Sequence, residues 1–202
     1  MQECFSRARE REIRRSVKET YRAVAERPRG NVPYPVGRAS ATRLGYRAEW
    51  LAGIPATVLR RFVGVGNPFA VRPPRRGERV LDVGCGCGLD AFVASRMVGP
   101  EGRVVGLDLT AEMVRWPRAA AKAWPLGNLQ FRVGFAEKIP FEDATFDEVI
   151  SNGVLNLVPD KDAAFAEIAR VLRPGGVFAA ADLLVVDTVP AAVLADLDAW
   201  ST

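Results

Sequence analysis

The chain holds 202 residues, 49% of them apolar and 26% charged, the proportions of one ordinary domain with a buried core and not of a disordered chain. It contains no histidine and three cysteines, Cys4, Cys85 and Cys87, which excludes Ser-His-Asp triads, Cys-His pairs, histidine-ligated metals and a disulfide framework. The formal net charge of +4 divides unevenly, since residues 1–80 carry 18 Lys and Arg against 7 Asp and Glu, and residues 81–202 carry 10 against 17.

Residues 4–27 predict one helix whose apolar positions, Ile13, Val17, Tyr21 and Val24, fall on a single stripe. Gly30, Pro33, Pro35 and Gly37 then break the chain, a helical stretch is predicted over 47–62, and G-V-G-N-P-F marks a further turn. Beyond Pro73-Pro74, short β-branched runs alternate with amphipathic stretches. Strands are predicted at 79–83, 103–108, 128–133, 146–152 and 177–182, and helices at 89–98, 111–123, 160–171 and over the final P-A-A-V-L-A-D-L-D-A-W. The pattern is that of an α/β, Rossmann-like three-layer sandwich with a mostly parallel sheet. Residues 1–75 are read as a helical N-terminal cap and 76–202 as the ligand-binding domain, whose C-terminal closing strands have no counterpart after Asp182. Right-handed crossovers and one reversal of strand order would bring the 82–90 and 151–157 loops side by side at the carboxyl edge of the sheet, where a ligand should sit.

The stretch most informative about chemistry is Val80-Leu81-Asp82-Val83-Gly84-Cys85-Gly86-Cys87-Gly88, a strand entering a glycine turn that opens a helix. Glycines allow a sharp turn and close backbone approach to a ligand, and the helix start offers unpaired N–H groups. The dinucleotide fingerprint G-x-G-x-x-G is not met, because Leu89 occupies the slot of its third glycine. Asp82, at the strand end, would repel a pyrophosphate but attract a cationic amino-acid moiety. S-adenosylmethionine, with its ammonium and sulfonium, has that polarity. Asp108, at the end of the next strand and 20 residues past Gly88, stands where a carboxylate accepts both ribose hydroxyls.

These residues resemble class I S-adenosylmethionine-dependent methyltransferases, most closely the arsenite methyltransferase branch. The resemblance is carried by L-G-Y (44–46), G-V-G-N-P (64–68), V-L-D-V-G-C-G-C-G-L-D (80–90), V-G-P-E-G-R-V-V-G-L-D-L-T-A-E-M (98–113), I-S-N-G-V-L-N-L-V-P-D-K (150–161) and R-V-L-R-P-G-G (170–176). It implies that S-adenosyl-L-methionine is the cofactor and that Asp82, Gly84, Gly86 and Gly88 border its methionine part. By the same likeness Asp108, Leu109 and Met113 hold the ribose and adenine, Ala136 and Glu137 line the adenine edge, and Asn152 touches the methionine end. Tyr21 matches a tyrosine that similar enzymes bring over the cofactor, here followed by Arg22 instead of glycine. Asp90 opens the helix after the glycine loop, where it either favours the helix dipole or helps hold the ammonium.

Similar arsenite enzymes hold trivalent arsenic with thiolates. In this chain Gly153 follows S-N, Val65 stands inside G-x-G-N-P, residues 28–40 contain no cysteine, and the sequence reaches Thr202 about where the last thiol is expected. A soft As(III) centre needs soft ligands, so matching positions cannot assemble the usual trithiolate site; Cys85 and Cys87 read as small buried fillers. Asp147 and Glu148 read as strand-edge charges, and the four tryptophans as packing residues.

The function expected is methyl transfer to a small-molecule acceptor, with no metal and no assigned catalytic residue. Two alternatives stand beside it: an RNA or protein methyltransferase docking through the basic half, and a catalytically silent cofactor-binding protein. No nucleic-acid motif accompanies the arginines, so nucleic acid is not the expected partner. No apolar run reaches membrane-spanning length and the amino terminus lacks a signal-peptide h-region, which predicts a cytoplasmic protein. Oligomeric state is left open, a second chain completing the sheet being one arrangement.

Overall fold

The computed structural model describes residues 5–27 and 35–184, with 186, 189, 193, 196, 197 and 200. Cys4, the turn at Gly30 and Pro33, and most of the predicted last helix lie outside the described residues. Helix α1 (Arg7–Glu26) opens on Ser6, whose hydroxyl accepts from the Arg9 N–H at 3.2 Å. The expected stripe is its packed side, with Ile13, Val17 and Val24 buried.

Residues 47–62 do not form one helix. They form two single turns, α3 (Ala48–Leu51) and α4 (Ala56–Leu59), preceded by α2 (Arg38–Arg43). Gly53 adopts φ +64° between them and Pro55 has no N–H to donate, so the ladder stops and restarts. A 3-10 turn (Pro68–Ala70) follows, its first free N–H capped by the Asn67 side chain at 3.1 Å.

The α/β part is built as predicted: β1 (Arg79–Val83), α5 (Leu89–Val98), β2 (Arg103–Asp108), α6 (Ala111–Ala121), β3 (Leu129–Val133), β4 (Phe146–Asn152), α7 (Lys161–Val171) and β5 (Leu172–Ala181). β5 starts earlier than the predicted 177–182. Leu172 pairs with Phe146, the register then shifts through R-P-G-G, and regular pairing resumes at Val177 opposite Glu148.

All pairs are parallel and the strand order is β3-β2-β1-β4-β5. The chain leaves β1 toward β2 and β3, then returns to the other side of β1 for β4, so the loops after β1 and β4 flank the reversal point. One apolar core joins Tyr46, Phe62 and Phe69 of the N-terminal segment to Val80 and Phe131 of the sheet and Phe92 of α5; a second lies under α7 around Leu81, Phe146 and Ile168.

Glu148 corrects one reading. β4 lies between β1 and β5, and the side chain of Glu148 is fully buried, not at an edge. Arg72 bridges it to Glu78, tying the segment before β1 to the sheet.

Candidate ligand cleft

The carboxyl ends of β1, β2 and β4 open into a cleft that α1 roofs with Arg14, Val17 and Tyr21. Its floor is the glycine loop. Gly84 (φ +71°) has no room for a side chain because Val154, from the loop after β4, presses onto it. A Cβ on Gly86 would meet nothing within 4 Å, so the loop leaves open space there. Gly88 does not line the cleft: a Cβ would lie 2.7 Å from Pro117 and 2.9 Å from Phe131, so this glycine lets α5 pack against α6 and β3.

Asp108 closes the turn from the side. Its Oδ2 accepts from the Gly86 N–H and its Oδ1 from the Thr110 N–H, both at 2.8 Å. Burial raises its pKa and those two donors oppose the rise. The Thr110 side chain adds a third hydrogen bond that also opposes the rise, and a carboxylate has about four acceptor positions in all. Beyond it, Leu109, Met113, Ala136 and Glu137 line the same end of the cleft. Arg14 of α1 donates to Glu137 at 2.9 Å, and Arg22 reaches Glu112 at 3.3 Å, so ion pairs fasten the roof to the walls.

At the opposite end Asn152 is the centre of a knot. Its Oδ1 accepts from the Val65 and Gly66 N–H groups at 3.0 and 3.1 Å, and its Nδ2 donates to the Gly66 carbonyl at 2.9 Å and to Asp90 Oδ2 at 3.1 Å. Tyr46 donates a hydrogen bond to Asp90 Oδ1, and its hydroxyl oxygen lies 3.1 Å from Asn152 Nδ2. The L-G-Y, G-V-G-N-P and S-N motifs therefore meet at one point, and the Asn152 amide is occupied by protein groups. Burial lifts Asp90 to about 6 against the pull of Tyr46 and Asn152, and lifts the Tyr46 hydroxyl further above its usual value, with Asp90 adding to the effect.

Asp82 lies under the loop, not on the cleft surface. Burial first, then the charges of Asp90 and Asp108, hold its carboxyl well above the usual range. Cys85 and Cys87 are buried free thiols; burial pushes Cys87 up to about 12 and Cys85 upward too. Among the described residues no three His, Cys, Asp or Glu side chains group as a metal site.

Sequence reasoning passed over Tyr46, Arg61 and Val154 as site residues. Arg61 lines the cleft with its guanidinium 3.9 Å over the Trp116 ring and donates to the Ala25 carbonyl at 2.9 Å. Two of its partners, Ala25 and Trp116, are distant in sequence, and no local pattern marks it.

A cleft at the strand-order reversal of a doubly wound parallel sheet, with a glycine loop on one strand and an acid at the tip of the next, defines a nucleotide-type ligand-binding domain. The family model for a methyltransferase domain matches residues 74–202, and the chain belongs to that family. It is 41% identical over 152 residues to an arsenite methyltransferase of Halobacterium salinarum, covering 75% of this chain and 38% of that protein. It is 40% identical over 102 residues to a demethylmenaquinone methyltransferase of Geobacillus kaustophilus, covering 50% of this chain and 44% of the relative. Among solved structures, the arsenic (III) S-adenosylmethionine methyltransferase from Chlamydomonas reinhardtii superposes with a TM-score of 0.68 at 37% identity, over 81% of this chain and 54% of that one. The chain thus spans about half or less of the length of these relatives.

Proposed function

We propose that the chain is an S-adenosylmethionine-dependent methyltransferase acting on a small-molecule acceptor. The observation that carries the reading is that one cleft joins the open step at Gly86, the carboxylate of Asp108 and the apolar pocket of Leu109, Met113 and Ala136. These residues fit the donor: the open step leaves room for it, the Asp108 carboxylate on the cleft wall suits a ribose hydroxyl, and a carboxylate-rich corner suits an ammonium and a sulfonium. Bound there, S-adenosylmethionine supplies an activated methyl group for in-line displacement.

The chain's own residues hold the ribose through Asp108 and cover the adenine end with Glu137, Ala136 and Met113. Tyr21 and Val17 of α1 exclude water from above. Residues 1–75 act as the cap, and the wall formed by Phe62, Val63, Val154 and Leu157 faces an acceptor with apolar surface. With no histidine, an acceptor already nucleophilic at neutral pH, such as a thiolate, a neutral amine or a stabilised carbanion, suits the site better than a hydroxyl that needs a base. Cys85 and Cys87 border the cleft, but burial raises both thiols and keeps them protonated, which supports an organic acceptor over arsenite.

Titration calorimetry with S-adenosylmethionine, followed by turnover on a panel containing arsenite, thiols, amines and phenols, tests the proposal. Saturable binding with methylation of an organic member supports it. Failure to bind removes it, and binding with turnover of arsenite alone replaces the acceptor assignment.

A further inference from the structure

Three carboxyl groups surround the 84–88 loop: Asp82 in β1, Asp90 in the first turn of α5 and Asp108 at the end of β2. Asp82 and Asp90 are 2% and 6% exposed, and Asp82 Oδ2 is buried with no hydrogen-bond partner. Among the described residues no Lys or Arg forms an ion pair with any of the three. The two basic residues lining the cleft are engaged elsewhere: Arg61 with the carbonyls of Ala25 and Thr57 and the Trp116 ring, Arg14 with Glu10 and Glu137. The other groups facing the cluster are Tyr46 from the segment after α2, Cys85 and Cys87 of the loop, and the uncharged amide of Asn152 from β4.

Neighbouring buried carboxylates without a counter-ion cannot all ionise cheaply. We propose that the Asp82–Asp90 pair retains a proton while the cleft holds no cation, and that a ligand bringing a positive charge to this corner expels that proton to solvent. The bond that breaks is one carboxyl O–H, its electron pair stays on oxygen, and the ligand cation replaces the charge of the departing proton. The direction of both titrations agrees: burial holds Asp90 at about 6 and Asp82 well above the ordinary range. The inference rests on the proposed donor site. It adds that the site senses the charge of its ligand, so that the donor and an uncharged nucleoside of similar shape respond differently to pH.

The test is calorimetry in two buffers of different ionisation heat, with S-adenosylmethionine and with 5′-methylthioadenosine, which lacks both the ammonium and the sulfonium. For S-adenosylmethionine, release of about half a proton or more per ligand is expected at pH 6, with affinity rising about tenfold from pH 5 to pH 8. The neutral nucleoside should release no proton and bind with a flat pH profile. Asp90→Asn should cut the proton release for S-adenosylmethionine by more than about half while leaving binding measurable. Binding of S-adenosylmethionine with no proton release, or identical pH profiles for the two ligands, overturns the inference and leaves the donor site standing. No binding of either ligand at any pH overturns the donor site and the inference together.

Discussion

Asp108 does two things with one carboxylate: it ties the glycine loop to the start of α6 through two backbone donors, and it lines the cleft. Replacing Asp108 with Ala should leave the fold cooperative and weaken S-adenosylmethionine binding about 10- to 100-fold, the worth of charge-assisted hydrogen bonds. Unchanged affinity in a calorimetric titration would remove Asp108 from the ribose. Asn152 makes the opposite prediction. Because its amide is consumed by Val65, Gly66 and Asp90, Asn152→Ala should cost about 2–4 kcal/mol in urea unfolding through stranded buried partners. A loss well under 1 kcal/mol would mean the knot does not hold the loop. Asp90 sets a pH dependence. Its folded pKa of about 6 lies above the unfolded carboxylate range, so its contribution is fully present below about pH 4 and is lost as the pH rises through about 6. The stability of the wild type relative to Asp90→Asn should therefore fall, on the order of 2 kcal/mol, between pH 4 and pH 7. A flat or rising difference contradicts the buried-acid account.

At the scale of elements, α1 is a roof fastened by ion pairs to Glu137 and Glu112 and by buried Val24 and Ala25 against Met113. A partly exposed pair such as Arg14–Glu137 contributes about 1 kcal/mol at most, so Arg14→Ala should speed ligand release no more than about fivefold and blunt the salt dependence of release. Stopped-flow dissociation at low and high salt measures this; release unchanged in rate and still salt-sensitive would mean the roof is held otherwise. The same scale shows what local pattern can and cannot carry. β1, its glycine turn and α5 were legible because strand, turn and helix each leave a signature within a few residues of the next. Residues 47–62 misled because an apolar run outweighed Gly53 and Pro55, whose backbone demands split it into two turns. The partnerships of Tyr46 with Asn152, 106 residues apart, and of Arg72 with Glu148, 76 apart, depend on which strands become neighbours, which no local spacing encodes. Gly88 was legible as necessary but not in its purpose, since its neighbours Pro117 and Phe131 come from two later elements.

Over the whole molecule, the basic first 80 residues face an acidic remainder, and part of that charge is internal to the fold. Arg14, Arg22 and Arg72 pair with Glu137, Glu112 and Glu148, so part of the charge asymmetry of the sequence is met by ion pairs between its two halves. No helix among the described residues is long and apolar enough to cross a membrane. The central claim concerns the cleft where these parts meet. Diffraction from crystals soaked with S-adenosylmethionine tests it most directly: the account predicts the donor under α1, its ribose hydroxyls on Asp108 and its adenine against Met113 and Ala136. A vacant cleft in well-diffracting soaked crystals, or the donor seated elsewhere with Asp108 bonded only to Gly86 and Thr110, would contradict it.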